Sequence, residues 1–134
     1  MIVVDSNLIA YLLIPGEKSL LAERVFSKDP EWAVPIVCRS EVRNILTLYM
    51  RHEGMSLAQA KETMEAAEAL WRGREYVLPS DDVLDLTAGK NVTAYDAEFV
   101  CLAEALKVPL LTFDKPLRRA CPKVAIDPAD FAGV

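Results

Sequence analysis

The sequence predicts an α/β fold: a three-layer α/β/α sandwich around a central parallel sheet of four to five strands. Three observations lead there. Strand-like and helix-like segments alternate along the chain, and a parallel sheet wound in that way is covered on both faces. With 134 residues, 52% apolar and 26% charged, the chain can bury one substantial core. No repeat, linker or low-complexity stretch divides it, so we expect a single domain over residues 1–134.

Each element has its own signal. Ile2, Val3 and Val4 read as a buried strand, and Leu8 to Leu13 as the apolar start of a helix. Pro15-Gly16-Glu17 makes a turn before a helix over Lys18 to Lys28, with Leu21, Val25 and Phe26 inward. Trp32 to Val37 is a second strand, bent or weakened at Pro35. Ser40 is placed to cap a helix carrying Val42, Ile45, Leu46 and Tyr49 at helical spacing, with Cys38-Arg39-Ser40 as the connection before it. Ser56 opens another helix whose stripe of Leu57, Ala60, Met64, Ala67 and Trp71 belongs to a core or a dimer interface.

Glu75 to Pro79 is a short third strand, and Ser80-Asp81-Asp82 caps a helix through Leu86. Thr93 caps a helix with Tyr95, Phe99, Leu102, Ala103 and Leu106 inward. Val108 to Phe113 is the fourth strand, Lys123 to Ile126 a fifth, and Asp127 to Phe131 a turn.

Composition narrows the function. The longest apolar run is about half a dozen residues, against the ~20 that a membrane-spanning helix needs, and no basic leader precedes the first strand. A cytoplasmic protein with no membrane partner is expected. Cys38, Cys101 and Cys121 lie far apart without CxxC spacing, which reads as buried reduced thiols. His52, the only histidine, falls in a solvated helix end, so imidazole metal sites and Ser-His or Cys-His hydrolases are disfavoured. The net charge of −5 speaks against a nucleic-acid partner only until four of the 20 acids are set aside as metal ligands, leaving 16 against 15 basic residues.

Four acids reach one edge of the expected sheet. Asp5 and Asp114 follow apolar strands, Glu41 starts the helix after the second strand, and Asp96 starts the helix that feeds the fourth. All four positions lie at strand carboxyl ends, where open α/β sheets bind their ligands. Singly, each has an ordinary structural explanation as a turn or helix-start residue. Jointly, two carboxylates 4 Å apart repel by roughly 4 kcal/mol at an effective dielectric of 20, and four need a cation. Oxygen-only ligands point to Mg²⁺ or Mn²⁺, a phosphodiester substrate, and hydrolysis by a water that the ion activates.

Those segments resemble a known family. VVDSNLIAYLL with Asp5, SEV with Glu41, TAYDAEFVCLAEAL with Asp96 and LLTFDKPL with Asp114 are similar to the signature segments of PIN domains, in order and over essentially the whole chain. At this length the chain is also similar to the VapC toxins of toxin–antitoxin pairs. The resemblance implies a Mg²⁺- or Mn²⁺-dependent endoribonuclease, homodimeric and inhibited by a small antitoxin protein. It implies metal ligation by Asp5, Asp96 and Asp114, and by Glu41 directly or through water. Ser6, Asn7 and Thr112 fall at the polar positions that orient carboxylates or waters, although Ser6 and Asn7 could equally be helix caps. Lys115-Pro116-Leu117 stands where some relatives carry a further acid, which bears on a second metal.

Arg39 and Arg43 beside Glu41, with Lys115, Arg118 and Arg119 after Asp114, could line a groove for RNA. No interleaved aromatics suited to base stacking are visible. Competing readings fit less well. A phosphorelay receiver needs an acidic pair after the first strand, where Ser6 follows Asp5, and a DxD phosphatase needs an acid in place of Asn7. A catalytically inactive PIN-like module that binds RNA or protein is the alternative of another class, and the presence of all four acids argues against it.

Overall fold

A computed structural model describes all residues from Met1 to Val134. Five parallel strands form one sheet in the order β3-β2-β1-β4-β5. They are β1 (Ile2–Val4), β2 (Trp32–Pro35), β3 (Glu75–Tyr76), β4 (Leu110–Leu111) and β5 (Ala125–Ile126). The helices are α1 (Ser6–Leu13), α2 (Ser19–Lys28), α3 (Val37–His52), α4 (Leu57–Leu70), α5 (Ser80–Gly89), α6 (Ala94–Leu106), α7 (Lys115–Ala120) and α8 (Pro128–Ala132). This is the three-layer architecture that the alternation implies.

Strand order decides where a ligand can sit. The chain moves from β1 outward through β2 to β3, then crosses back to β4 on the other side of β1. Right-handed crossovers therefore lay α1 to α4 on one face and α5 to α7 on the other. α6 packs against β1, β2 and β4, while α1 packs against α2, α3 and α4. The crossovers diverge beyond the carboxyl ends of β1 and β4, opening a crevice at that switch point. Val3 pairs with both Ala33 and Leu110, so β1 is the fully enclosed middle strand.

Several local expectations change. α3 starts at Val37 rather than after Ser40, and Ser40 makes no capping bond. The Ile36 N–H continues the β2–β3 ladder onto the Tyr76 carbonyl while the Ile36 carbonyl accepts from Arg39, so strand passes into helix without a connecting loop. Glu41 thus lies in the second turn of α3. The third, fourth and fifth strands shrink to two ladder residues each, because the flanking backbone turns into caps and helices. Asp114 caps α7, and Asp127 caps α8 where a turn was expected.

The α4 stripe finds its partner inside this chain. Ala60, Ala67 and Trp71 are buried in the main core, with Met64 packed at its border and Leu57 exposed. Tyr95 is the opposite case: expected inward, it is 64% exposed. Cys38, Cys101 and Cys121 are buried free thiols, and His52 is exposed. No helix is long and apolar enough to cross a membrane.

Candidate active site

Asp5, Glu41, Asp96 and Asp114 line a single cleft of about 570 Å³ at the switch point. They come from the end of β1, the second turn of α3, the first turn of α6 and the residue capping α7. Asn7 and Thr112 line the same cleft, as does Ser6, and no lysine, arginine or histidine does.

Asp5 ties the two central strands together. Its Oδ1 accepts from the Leu8 N–H at 2.9 Å, capping α1, and its Oδ2 accepts from the Phe113 N–H at 3.1 Å, just beyond β4. Asp5 itself is therefore the α1 cap, a role that the sequence leaves open to Ser6 or Asn7. Ser6 instead donates its hydroxyl to Glu41 Oε1 at 2.5 Å, joining α1 to α3. The Asn7 side chain reaches the cleft without a protein hydrogen bond.

Thr112 Oγ1 accepts from the Asp114 N–H at 3.1 Å, and Asp114 Oδ1 accepts from the Leu117 N–H at 2.9 Å. Asp96 is aimed by its helix start, where the Thr93 hydroxyl accepts the Asp96 N–H at 3.0 Å. Ser6 and Thr112 are the only buried polar side chains of the protein, and both serve these carboxylates. A buried hydroxyl is costly unless hydrogen-bonded, so their burial marks the site as built.

The electrostatics are those of acids held together against their charge. Burial pushes the Asp5 carboxyl above its usual range; bonds from Leu8, Thr112 and Phe113 offset part of this, and the Asp114 charge adds to it. Glu41 is raised by burial, with the Ser6 bond opposing and Asp96, Asp5 and Glu98 reinforcing. Asp96 is raised by burial and by Asp114. As they stand, no three of these groups are gathered closely enough to hold one ion. Three of the oxygens on Asp5 and Asp114 are engaged by backbone N–H groups. The donor set nevertheless fits a hard divalent cation, with carboxylate, hydroxyl and amide oxygens and no positive side chain to neutralise them.

The expected phosphate-binding cations divide in two. Arg39 is turned into a fork with Glu75, Nε to Oε2 at 2.5 Å and Nη2 to Oε1 at 2.9 Å, and reaches Glu68 at 3.0 Å. Arg118 donates to the Thr112 carbonyl at 2.7 Å and pairs with Asp127 at 3.5 Å, bracing the β4 end against α8. Arg43, Lys115 and Arg119 are exposed and make no ion pair. Sequence reasoning passes over Ser40, Asn44 and Tyr95 as cleft residues. Asn44 had a signal, since it lies three residues after Glu41 on the same helical face.

Known proteins share both fold and sequence with this chain. The PIN domain model matches residues 2–122. Ribonuclease VapC3 of Pyrobaculum aerophilum is 33% identical over 127 residues, covering 90% of this chain and 95% of that protein. Ribonuclease VapC1 of Mycobacterium tuberculosis is 31% identical over 118 residues, covering 88% and 89%. Among solved structures, PAE2754 from Pyrobaculum aerophilum superposes with a TM-score of 0.76 at 19% identity, covering 98% of this chain and 85% of its own. FitAcB from Neisseria gonorrhoeae gives 0.73 at 17% identity, covering 96% and 98%. The family model spans β1 to β4, the helices α1 to α7 and all four cleft acids, and this chain belongs to the PIN domain family.

Proposed function

We propose that residues 1–134 form one metal-dependent endoribonuclease domain that cuts RNA phosphodiester bonds in the switch-point cleft. The observation that carries this reading is the convergence of four acids from four segments on one cleft without a cation among its walls. The relatives named ribonucleases support RNA as the substrate.

Asp5, Asp96, Asp114 and Glu41 would hold Mg²⁺ or Mn²⁺. When bound, the ion supplies Lewis-acid polarisation of a phosphoryl oxygen and a lowered pKa for a neighbouring water. The protein's own contribution is positional. Backbone N–H groups of Leu8 and Phe113 fix Asp5, and Thr112 steadies the turn into Asp114. The Ser6 hydroxyl holds Glu41 at Oε1, which leaves Oε2 available to the ion or to a water beside it. Arg43, Lys115 and Arg119 are the free cations suited to the RNA backbone, whereas Arg39 and Arg118 act as internal braces.

Partners follow from the same reading. The VapC names of the relatives support a toxin role with a small antitoxin, a protein able to present a cation to the acidic cleft. A homodimer remains part of the proposal, but of the α4 stripe Ala60, Ala67 and Trp71 are buried in the core and only Leu57 is exposed to take part in it. The exposed Ile36 and Val77, side by side at the β2–β3 ends, are better suited to such a contact.

The test is cleavage of a mixed RNA pool by purified protein with Mg²⁺ or Mn²⁺, using chelator as the control. Metal-dependent cutting is expected. Protein that neither binds Mn²⁺ nor cuts would favour the inactive PIN-like binding module instead. Ser6→Ala should weaken Mn²⁺ binding by about 10- to 100-fold, the usual cost of removing a group that orients a ligand. Calorimetric titration checks this, and unchanged affinity would remove Ser6 from the site.

A further inference from the structure

We infer that the cleft also contains a nucleobase subsite, in which the Tyr95 ring stacks one unpaired base beside the carboxylates and Ser40 and Asn44 of α3 address that base's edge. The inference deepens the ribonuclease reading and rests on it.

Tyr95 is the only aromatic side chain that lines the cleft while remaining largely exposed. Phe99, four residues along the same face of α6, is 3% exposed and forms part of the cleft wall. The face that anchors Phe99 in the core therefore carries Tyr95 past the sheet edge, into the mouth of the cleft. The ring pairs with no other aromatic, and its hydroxyl makes no hydrogen bond within the protein. It directly precedes Asp96, so a base stacked there would belong to a nucleotide next to the scissile phosphate.

The α3 side of the cleft is complementary. Ser40 and Asn44 are one helical turn apart, both exposed, and neither side chain bonds to the protein. Val37 and Ile45 give the same wall an apolar lining. An aromatic face, an apolar wall and an amide carrying both donors and acceptors form a site for a flat heteroaromatic ring. A duplex presents its bases stacked and paired, so this site selects single-stranded RNA.

The test uses Asp96→Asn protein, which holds RNA uncut. The probe is a random single-stranded oligoribonucleotide of about ten nucleotides with a central 2-aminopurine. Tyr95→Ala in that background should weaken binding by about 10- to 100-fold and abolish 2-aminopurine quenching, with Tyr95→Phe restoring both. Asn44→Ala should alter which bases are preferred around the cut site in otherwise wild-type enzyme. Wild type that cuts RNA while Tyr95→Ala binds and cuts equally well overturns the subsite alone. So does a Tyr95→Ala effect that sedimentation traces to a lost dimer. Wild type that neither binds nor cuts any RNA overturns the nuclease reading and this inference together.

Discussion

Asp96→Asn should reduce RNA cleavage by about 10²- to 10⁴-fold and, in the same protein, raise the melting temperature measured in chelator. The loss follows from removing one ligand of an ion whose charge stabilisation is worth several kcal/mol. The gain follows from the metal-free electrostatics. Asp96 is half-buried and faces Asp114, and both effects disfavour its ionised form. Asparagine keeps the shape and the helix start while removing the charge. Opposite signs in activity and stability distinguish a functional acid from a structural one, since loss of a structural residue lowers both. A chelated variant no more stable than chelated wild type would sink the argument from crowded charge.

A second large effect should appear when metal and pH are varied together. Asp5, Glu41 and Asp96 all hold their protons more tightly folded than unfolded. Their contribution to stability is therefore fully present below the ordinary carboxylate range, and is lost as pH rises through the elevated folded values. Through these groups, chelated protein should be more stable at acidic pH, toward the ordinary carboxylate range, than at neutrality. Mn²⁺ should reverse the trend, because its ligands must be deprotonated and its affinity rises with pH. At a hundredfold excess over its dissociation constant, the ion adds about 2.7 kcal/mol. Melting curves across pH, with chelator and with Mn²⁺, check both signs. Curves that stay parallel would mean these acids do not bind the ion.

The start of α6 was legible because it is local. Thr93 caps α6, and Asp96 must then fall in its first turn, whatever the rest of the chain does. Asp5 and Asp114 follow apolar strands, so alternation alone sends them to the carboxyl edge. Glu41 reaches the cleft despite a helix start displaced by four residues, from Ser40 to Ile36 as the cap, because α3 leaves the same sheet edge either way. Ser40 misled because a serine before a helical pattern resembles a cap, and only the bond from the Arg39 N–H to the Ile36 carbonyl reveals that the helix has already begun.

Long-range partners were not legible. The pairing of Arg39 with Glu75 joins residues 36 apart, and that of Arg118 with Asp127 depends on where α8 docks. Periodicity marked the α4 stripe as buried without identifying its partner, since one apolar stripe serves equally in a core or between protomers. For Tyr95 it failed outright, because the helical repeat cannot show where the sheet ends and the solvent begins. The sequence by itself determined the order of elements through β4, the sheet edge and the four acids. Tertiary structure decided which cations are free, which aromatic is exposed and how the carboxylates are held, because each depends on contacts between segments far apart in the chain.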